Sequence, residues 1–233
     1  MSSLRHPSGL GSELMSEPEY VWSTRAAYDA VAKTYHDLVK DDIVTNTWHR
    51  AFLNAFVEQL PGKRLLDAGS GPGHLTAYFA GLGLDTRGLD LSPSMIEVAR
   101  AAYPHVSYEI GSITALPYAD DSFDGVVSWY SIIHTPPQEQ RAIFAEFARV
   151  LAPGGLVALA FHVGEEVRSR TEPYGHAVQT PLVSYRLRPD KVAEGLARVR
   201  LKVVATLVCE PRSGELVPQS YLLASRETGD VVA

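Results

Sequence analysis

The chain has 233 residues, 45% of them hydrophobic and 21% charged, with a formal net charge of −6. That length suits one sizeable α/β domain and is short for two. The acidic balance, with no basic cluster interleaved with aromatics, argues against a nucleic-acid partner, because phosphate binding relies on excess Lys and Arg.

Residues 1–20 read as a flexible tail. Met1 to Pro18 is rich in Ser, Gly and Glu and lacks the apolar core of a signal peptide. Disorder is expected up to about residue 15, with Met15 an alternative start. No run approaches the ~20 apolar residues that a membrane span needs, so no membrane partner and a cytoplasmic location are expected. Residues 21–233 read as a single domain, with cap helices at 21–61, a cofactor-binding core at 62–163, an insertion at 164–188, and a C-terminal helix and hairpin at 189–227.

Thr24 to Val39 has helical spacing, with Ala27, Val31, Ala32, Tyr35 and Leu38 near one face. Thr47 to Leu60 is a second amphipathic helix, closed by Pro61-Gly62. Residues 64–69, 85–91, 106–111 and 124–130 then read as strands, with helical segments near 74–82 and 93–102. Gln138 to Leu151 is helical, and Leu156 to His162 is a near-continuous apolar strand. Strands alternating with helices predict a parallel sheet with both faces covered. Between these, Val163 to Pro189 breaks the alternation: it is polar, and Pro173, Pro181 and Pro189 limit regular structure. Lying after the fifth strand, it would sit over the carboxyl ends of the strands, either as a substrate-binding cap or as a plain surface loop. Lys191 to Val199 reads as a helix, and 201–209 and 219–225 as two strands. The single cysteine, Cys209, excludes an intrachain disulfide and is expected to be a buried structural thiol.

The most informative stretch is Leu65-Leu66-Asp67-Ala68-Gly69-Ser70-Gly71-Pro72-Gly73-His74. It is an apolar strand with an acidic residue near its end, running through three alternating glycines into a helix. Asp90 ends the next apolar run. Glycines at such a turn let a ligand approach bare N–H groups, and a carboxylate about 20 residues on can accept both hydroxyls of a ribose. A nucleoside-containing cofactor follows. The dinucleotide fingerprint, however, needs a third glycine where His74 stands. Asp67 would also repel a pyrophosphate, whereas it can accept a hydrogen bond from an ammonium group.

At this point the chain resembles the class I S-adenosylmethionine-dependent methyltransferases, in particular their small-molecule, UbiE-like branch (methyltransferase type 11). The further family-like segments are Asp90-Leu91-Ser92-Pro93-Ser94-Met95, Gly111-Ser112-Ile113, Leu116 to Asp124, Val126 to His134, and Val150-Leu151-Ala152-Pro153-Gly154-Gly155. The resemblance implies S-adenosyl-L-methionine as cofactor. It also implies a Rossmann-like, doubly wound, mostly parallel seven-stranded sheet with an antiparallel C-terminal strand and a small helical and loop cap. On it, Asp67, Gly69, Ser70, Gly71 and Gly73 would cradle the cofactor and Asp90 would hold the ribose. Leu91 and Met95 would pack on the adenine, and Ser112 and Ile113 would border its edge. The family usually has an acid where Ser112 stands; a serine hydroxyl accepts more weakly. Ser128 and Trp129 would touch the cofactor after the fourth strand. Tyr28 and Tyr35 belong to a helix that either folds over the cofactor or simply packs.

An oxygen or nitrogen nucleophile must lose a proton, and histidine titrates closest to neutral pH. His134, His162 and His176 are the candidate bases, each with a structural alternative. His6, His49 and His105 are expected to be solvated, and His74 to shape the glycine turn. Trp22 and Trp48 suit either core or cap. No metal-ligand spacing is present. The expected activity is methyl transfer to a small organic metabolite, to oxygen or nitrogen rather than carbon, by a monomer or homodimer. The alternatives are a non-methylating S-adenosylmethionine-binding protein and, less favoured, an NAD(P)-dependent oxidoreductase.

Overall fold

The computed structural model describes residues 17–212 and 215–228; His6, Met15 and the expected tail up to residue 16 lie outside them. Seven strands share one sheet: β1 (Arg64–Ala68), β2 (Asp85–Asp90), β3 (Ser107–Ile110), β4 (Phe123–Trp129), β5 (Leu151–His162), and, after a separate hairpin, β8 (Leu201–Cys209) and β9 (Gln219–Arg226). Their order is β3-β2-β1-β4-β5-β9-β8. The first five run parallel, and β9 is antiparallel to both neighbours. The order reverses between β1 and β4, which places the topological switch point, where open α/β sheets bind ligands, at the end of β1.

The helices are α1 (Glu19–Val39), α2 (Asp42–Thr45), α3 (Thr47–Glu58), α4 (His74–Gly81), α5 (Pro93–Ala102), α6 (Gln140–Val150) and α7 (Pro189–Ala197). Alternation along β1, β4 and β5 sends side chains to two cores. Leu66, Val126, Val157 and Leu159 pack with Phe144, Phe147 and Leu196 of α6 and α7. Leu65, Val127, Ala158 and Ala160 pack with Leu53, Phe56 and Phe79 of α3 and α4. Covering both faces explains why β5 reads as a continuous apolar run.

Several local expectations shift. Helix α1 starts at Glu19, five residues before Thr24, and the short α2 was not anticipated. Helix α7 starts at Pro189 because a proline at the first helical position has the right φ and no donor to lose. The 164–188 segment is not an irregular loop: β6 (Val167–Arg170) and β7 (Leu182–Tyr185) form an antiparallel hairpin, and Pro173 and Pro181 fall between the strands, where they break no ladder. Cys209 is only partly buried, because β8 is an edge strand with a neighbour on one side. Among the described residues no helix is long and apolar enough to cross a membrane.

Candidate active site

The floor of the site is the turn between β1 and α4. Its backbone is locked from below, Gly69 and Ser70 each donating to the Leu89 carbonyl at 2.8 and 3.0 Å. Gly69 has φ of +86°, a conformation that costs an L side chain, and a Cβ there would overlap the Ser131 side chain. At Gly71 the only nearby atom is on the Tyr35 ring, at 3.7 Å, so bare backbone faces open space.

Two carboxylates flank this turn. Asp67 is 1% exposed; Thr76 Oγ1 donates to its Oδ2 at 2.6 Å, while its Oδ1 is buried with no partner. Burial, aided by the neighbouring Asp90 and opposed by the Thr76 bonds, pushes its carboxyl up to about 7. Asp90 accepts from Gly71 N through Oδ2 and from Ser92 N through Oδ1, both at 2.8 Å. It lines the cavity, and burial pushes it up to about 6 in spite of those bonds. Each oxygen keeps a lone pair for a further donor.

Helix α1 forms the roof. Asp29 accepts from Ser92 Oγ at 2.5 Å and Ser94 N at 3.0 Å, tying α1 to the start of α5. Sequence reading did not single it out. Further along, His134 Nδ1 lies 2.8 Å from the Val183 carbonyl of β7, an acceptor only, so Nδ1 carries the proton. Nε2 then accepts from the Tyr28 hydroxyl at 2.8 Å. Tyr35 meets the ring of Tyr174, which stands at φ +54° in the cap segment. Roof, cap and sheet are thus joined around one cavity of about 370 Å³.

This cavity gathers most of the residues singled out in the sequence: Tyr28, Tyr35, Asp67, Gly69, Ser70, Gly71, Asp90, Leu91, Met95, Ser112, Ile113, Trp129, His134 and His162 all line it. Ser112 arrives with its hydroxyl already accepting from Thr114 N. Arg170, Leu182 and Ser184 of the hairpin line it too.

Three expected site residues lie elsewhere. Gly73, at φ +82°, caps α4, with its carbonyl accepting from Tyr108. Ser128 is fully buried and contacts the Ser131 hydroxyl, which in turn donates to the Ala68 carbonyl. His176 is exposed and spends Nε2 on Thr34 Oγ1 at 2.7 Å, so it pins the cap to α1 instead of facing a reacting atom.

The base assignments also change. Both His134 nitrogens are committed, and burial pushes the ring down to about 4, so it orients Tyr28 rather than taking protons. His162 is likewise held near about 4, by burial and by Arg170, Arg186 and Arg168. His74 is pushed to about 4 by burial. His105 is exposed, but His49 is not: it is 4% exposed and lines the cavity, with Nδ1 2.5 Å from Asp42 Oδ2. The signal was present, because His49, Phe52, Leu53 and Phe56 share one helical face. Trp22 and Trp48 are 40% and 51% exposed, so neither is core. Among the described residues no group of three or more His, Cys, Asp or Glu is placed to hold a metal.

A parallel sheet with a glycine turn at its switch point, a buried acid before that turn, an acid ending the next strand and a roofed cavity between them define a Rossmann-like nucleoside-cofactor protein. Residues 65–155 match the family model of the methyltransferase domain. Over these residues the chain is therefore similar to a methyltransferase domain, in line with the resemblance to the class I S-adenosylmethionine-dependent methyltransferases. It is 35% identical over 139 residues to a demethylmenaquinone methyltransferase of Renibacterium salmoninarum, a match covering 58% of this chain and 56% of the relative. It is 39% identical over 106 residues to methyltransferase GfsG of Streptomyces halstedii, covering 42% and 37%. The chain thus spans about half the length, or less, of these curated relatives.

Among solved structures, the Burkholderia thailandensis 1,6-didemethyltoxoflavin-N1-methyltransferase, with bound 1,6-didemethyltoxoflavin and S-adenosylhomocysteine, superposes with a TM-score of 0.70. The two are 19% identical over 90% of this chain and 89% of that one. The magnesium protoporphyrin IX methyltransferase of Synechocystis, with bound S-adenosylmethionine, gives 0.68 at 16% identity, over 91% and 99%. At these identities the likeness concerns the fold.

Proposed function

We propose that the chain transfers the methyl group of S-adenosylmethionine to an oxygen or nitrogen of a small organic metabolite held beneath the α1–hairpin roof. The observation that carries this reading is the unpartnered Oδ1 of Asp67, buried beside the glycine turn on the floor of the cavity. A buried carboxylate oxygen without a partner calls for a cationic donor, which the cofactor's ammonium group is and a pyrophosphate is not. Asp90 takes the two ribose hydroxyls, Leu91 and Met95 cover the adenine, and Ser112 and Ile113 border its edge. The backbone of Gly69, Ser70 and Gly71 approaches the cofactor from below, and Tyr28 and Tyr35 close over it. Trp129 and Tyr130 offer aromatic faces to the sulfonium and to a flat acceptor.

When bound, the cofactor supplies an electrophilic methyl group; the protein supplies orientation and the exclusion of water. The aromatic lining suits flat ring acceptors. Residues 164–188 act as the acceptor's cap. A net charge of −6 supports a small-molecule acceptor over a nucleic acid. A cytoplasmic monomer or homodimer fits the same reading. Incubation with trideuteriomethyl-labelled cofactor and a panel of flat aromatic alcohols, phenols and amines tests it by mass spectrometry. A labelled product on oxygen or nitrogen is expected; cofactor binding without any label transfer favours the non-methylating alternative.

Binding should depend on pH through Asp67. In the free protein its carboxyl is raised to about 7, so below that pH it carries a proton that an ammonium partner must displace. Affinity for S-adenosylmethionine is therefore expected to fall as pH drops below about 7, by up to about tenfold per pH unit for one released proton, and to level off above it. Asp67→Asn should remove that part of the slope. A calorimetric series from pH 5.5 to 8.5 reads it directly.

A further inference from the structure

Asp42 and His49 form a second polar centre in the cavity, on helices that the glycine motif does not involve. Asn46 caps α3 by accepting from Trp48 N and His49 N, which sets His49 in the first turn with its ring turned inward. The ring stands edge-on to Trp129 and Tyr221, with centroids 5.2 and 5.3 Å away. Burial would raise the Asp42 carboxyl, yet the His49 hydrogen bond, with the positive charge of Arg212 nearby, holds it below its ordinary range. A carboxylate only accepts, so Nδ1 of His49 carries the proton and Nε2 presents its lone pair.

Among the described residues the hydrogen-bond partner of Nε2 is the Tyr130 hydroxyl, at a long 3.5 Å that leaves the lone pair weakly engaged. His134 differs on this point, because its Nε2 is already taken by Tyr28. The charged and titratable groups facing the dyad are Tyr35 of α1, His74 of α4, Tyr130 after β4, Arg212 and Glu215 between β8 and β9, and Tyr221 of β9.

We propose that His49 is the general base of methyl transfer, with Asp42 as its positioning residue, and that the acceptor is therefore a molecule with an ionisable O–H or N–H. This inference rests on the methyl-transfer reading above. The acceptor's proton passes to Nε2 of His49. The freed electron pair on the acceptor oxygen or nitrogen forms the bond to the methyl carbon, and the carbon–sulfur bond breaks with its pair left on sulfur. The positive charge lost from sulfur reappears on the imidazolium, where Asp42 faces it. A carboxylate held against one ring nitrogen fixes the tautomer and stabilises the charge that forms on the other.

The test uses 4-nitrophenol, whose phenolate is coloured, added to protein saturated with S-adenosylhomocysteine and followed through a pH titration. Bound 4-nitrophenol is expected to ionise about one pH unit or more below the free compound, because a base is in place to take its proton. His49→Gln and Asp42→Asn should each remove most of that shift, and Asp42→Glu should retain most of it. Binding of S-adenosylhomocysteine, measured by calorimetry on the same samples, should stay within about threefold in all variants and so reports that each is folded. Failure of 4-nitrophenol to bind the loaded wild-type protein, or a shift that survives His49→Gln, overturns the proposal. Absence of S-adenosylhomocysteine binding to the wild type overturns the methyl-transfer reading itself, and the base assignment with it.

Discussion

Asp90→Ala is expected to weaken S-adenosylmethionine binding by about 100-fold or more. Two hydrogen bonds from ribose hydroxyls to a carboxylate contribute about 1.5–3 kcal/mol each, and their loss together corresponds to at least two orders of magnitude in Kd. The same carboxylate accepts from Gly71 N and Ser92 N, so its removal also frees the glycine turn from the loop that starts α5. Asp90→Asn separates the two effects: the amide oxygen can still accept from one backbone N–H, but it offers no charge to the ribose. It should fall between the wild type and Asp90→Ala. Calorimetric titration of the three proteins checks the order, and an unchanged Kd in Asp90→Ala would remove the ribose from this carboxylate.

Gly69→Ala is expected to destabilise the fold by about 2–5 kcal/mol, an unusually large cost for one methyl group. A left-handed backbone costs an L residue about 1–2 kcal/mol, and forcing a methyl into an occupied space costs about 1–3 kcal/mol more. The occupied space cannot easily yield. Ser131, which the new Cβ would strike, is held by its hydrogen bond to the Ala68 carbonyl and by contact with Ser128. Urea unfolding of the two proteins measures the loss. Gly83→Ala serves as the control: its φ is +85°, but nothing lies within 4 Å of a Cβ there, so only the backbone part should appear.

The parts of this molecule that are local in sequence could be read from it. The run from Leu65 to His74 carries its own strand, turn and helix start, and Asp90 follows at the spacing the next strand requires. Fourteen of the seventeen residues expected at the site line one cavity as a result. What escaped depends on partners far along the chain. Only the packing of Val183 and Tyr28 against His134, 49 and 106 positions away, shows that both ring nitrogens are used. The β6–β7 hairpin has four-residue strands, too short for a pattern to register, and its prolines obscured it. His49 was misread for a different reason: its place near a helix end outweighed its place on the buried face with Phe52, Leu53 and Phe56, although α3 extends that face through its first turn.

The most direct test of the central claim is calorimetric titration of the purified chain with S-adenosylmethionine and, separately, with NADH. The buried Asp67 beside the turn and the ribose-directed Asp90 predict saturable binding of S-adenosylmethionine, weakened by Asp90→Ala, and no comparable binding of NADH. No binding of S-adenosylmethionine, or tighter binding of NADH, would contradict the account and return a hydride-transfer reading to the site.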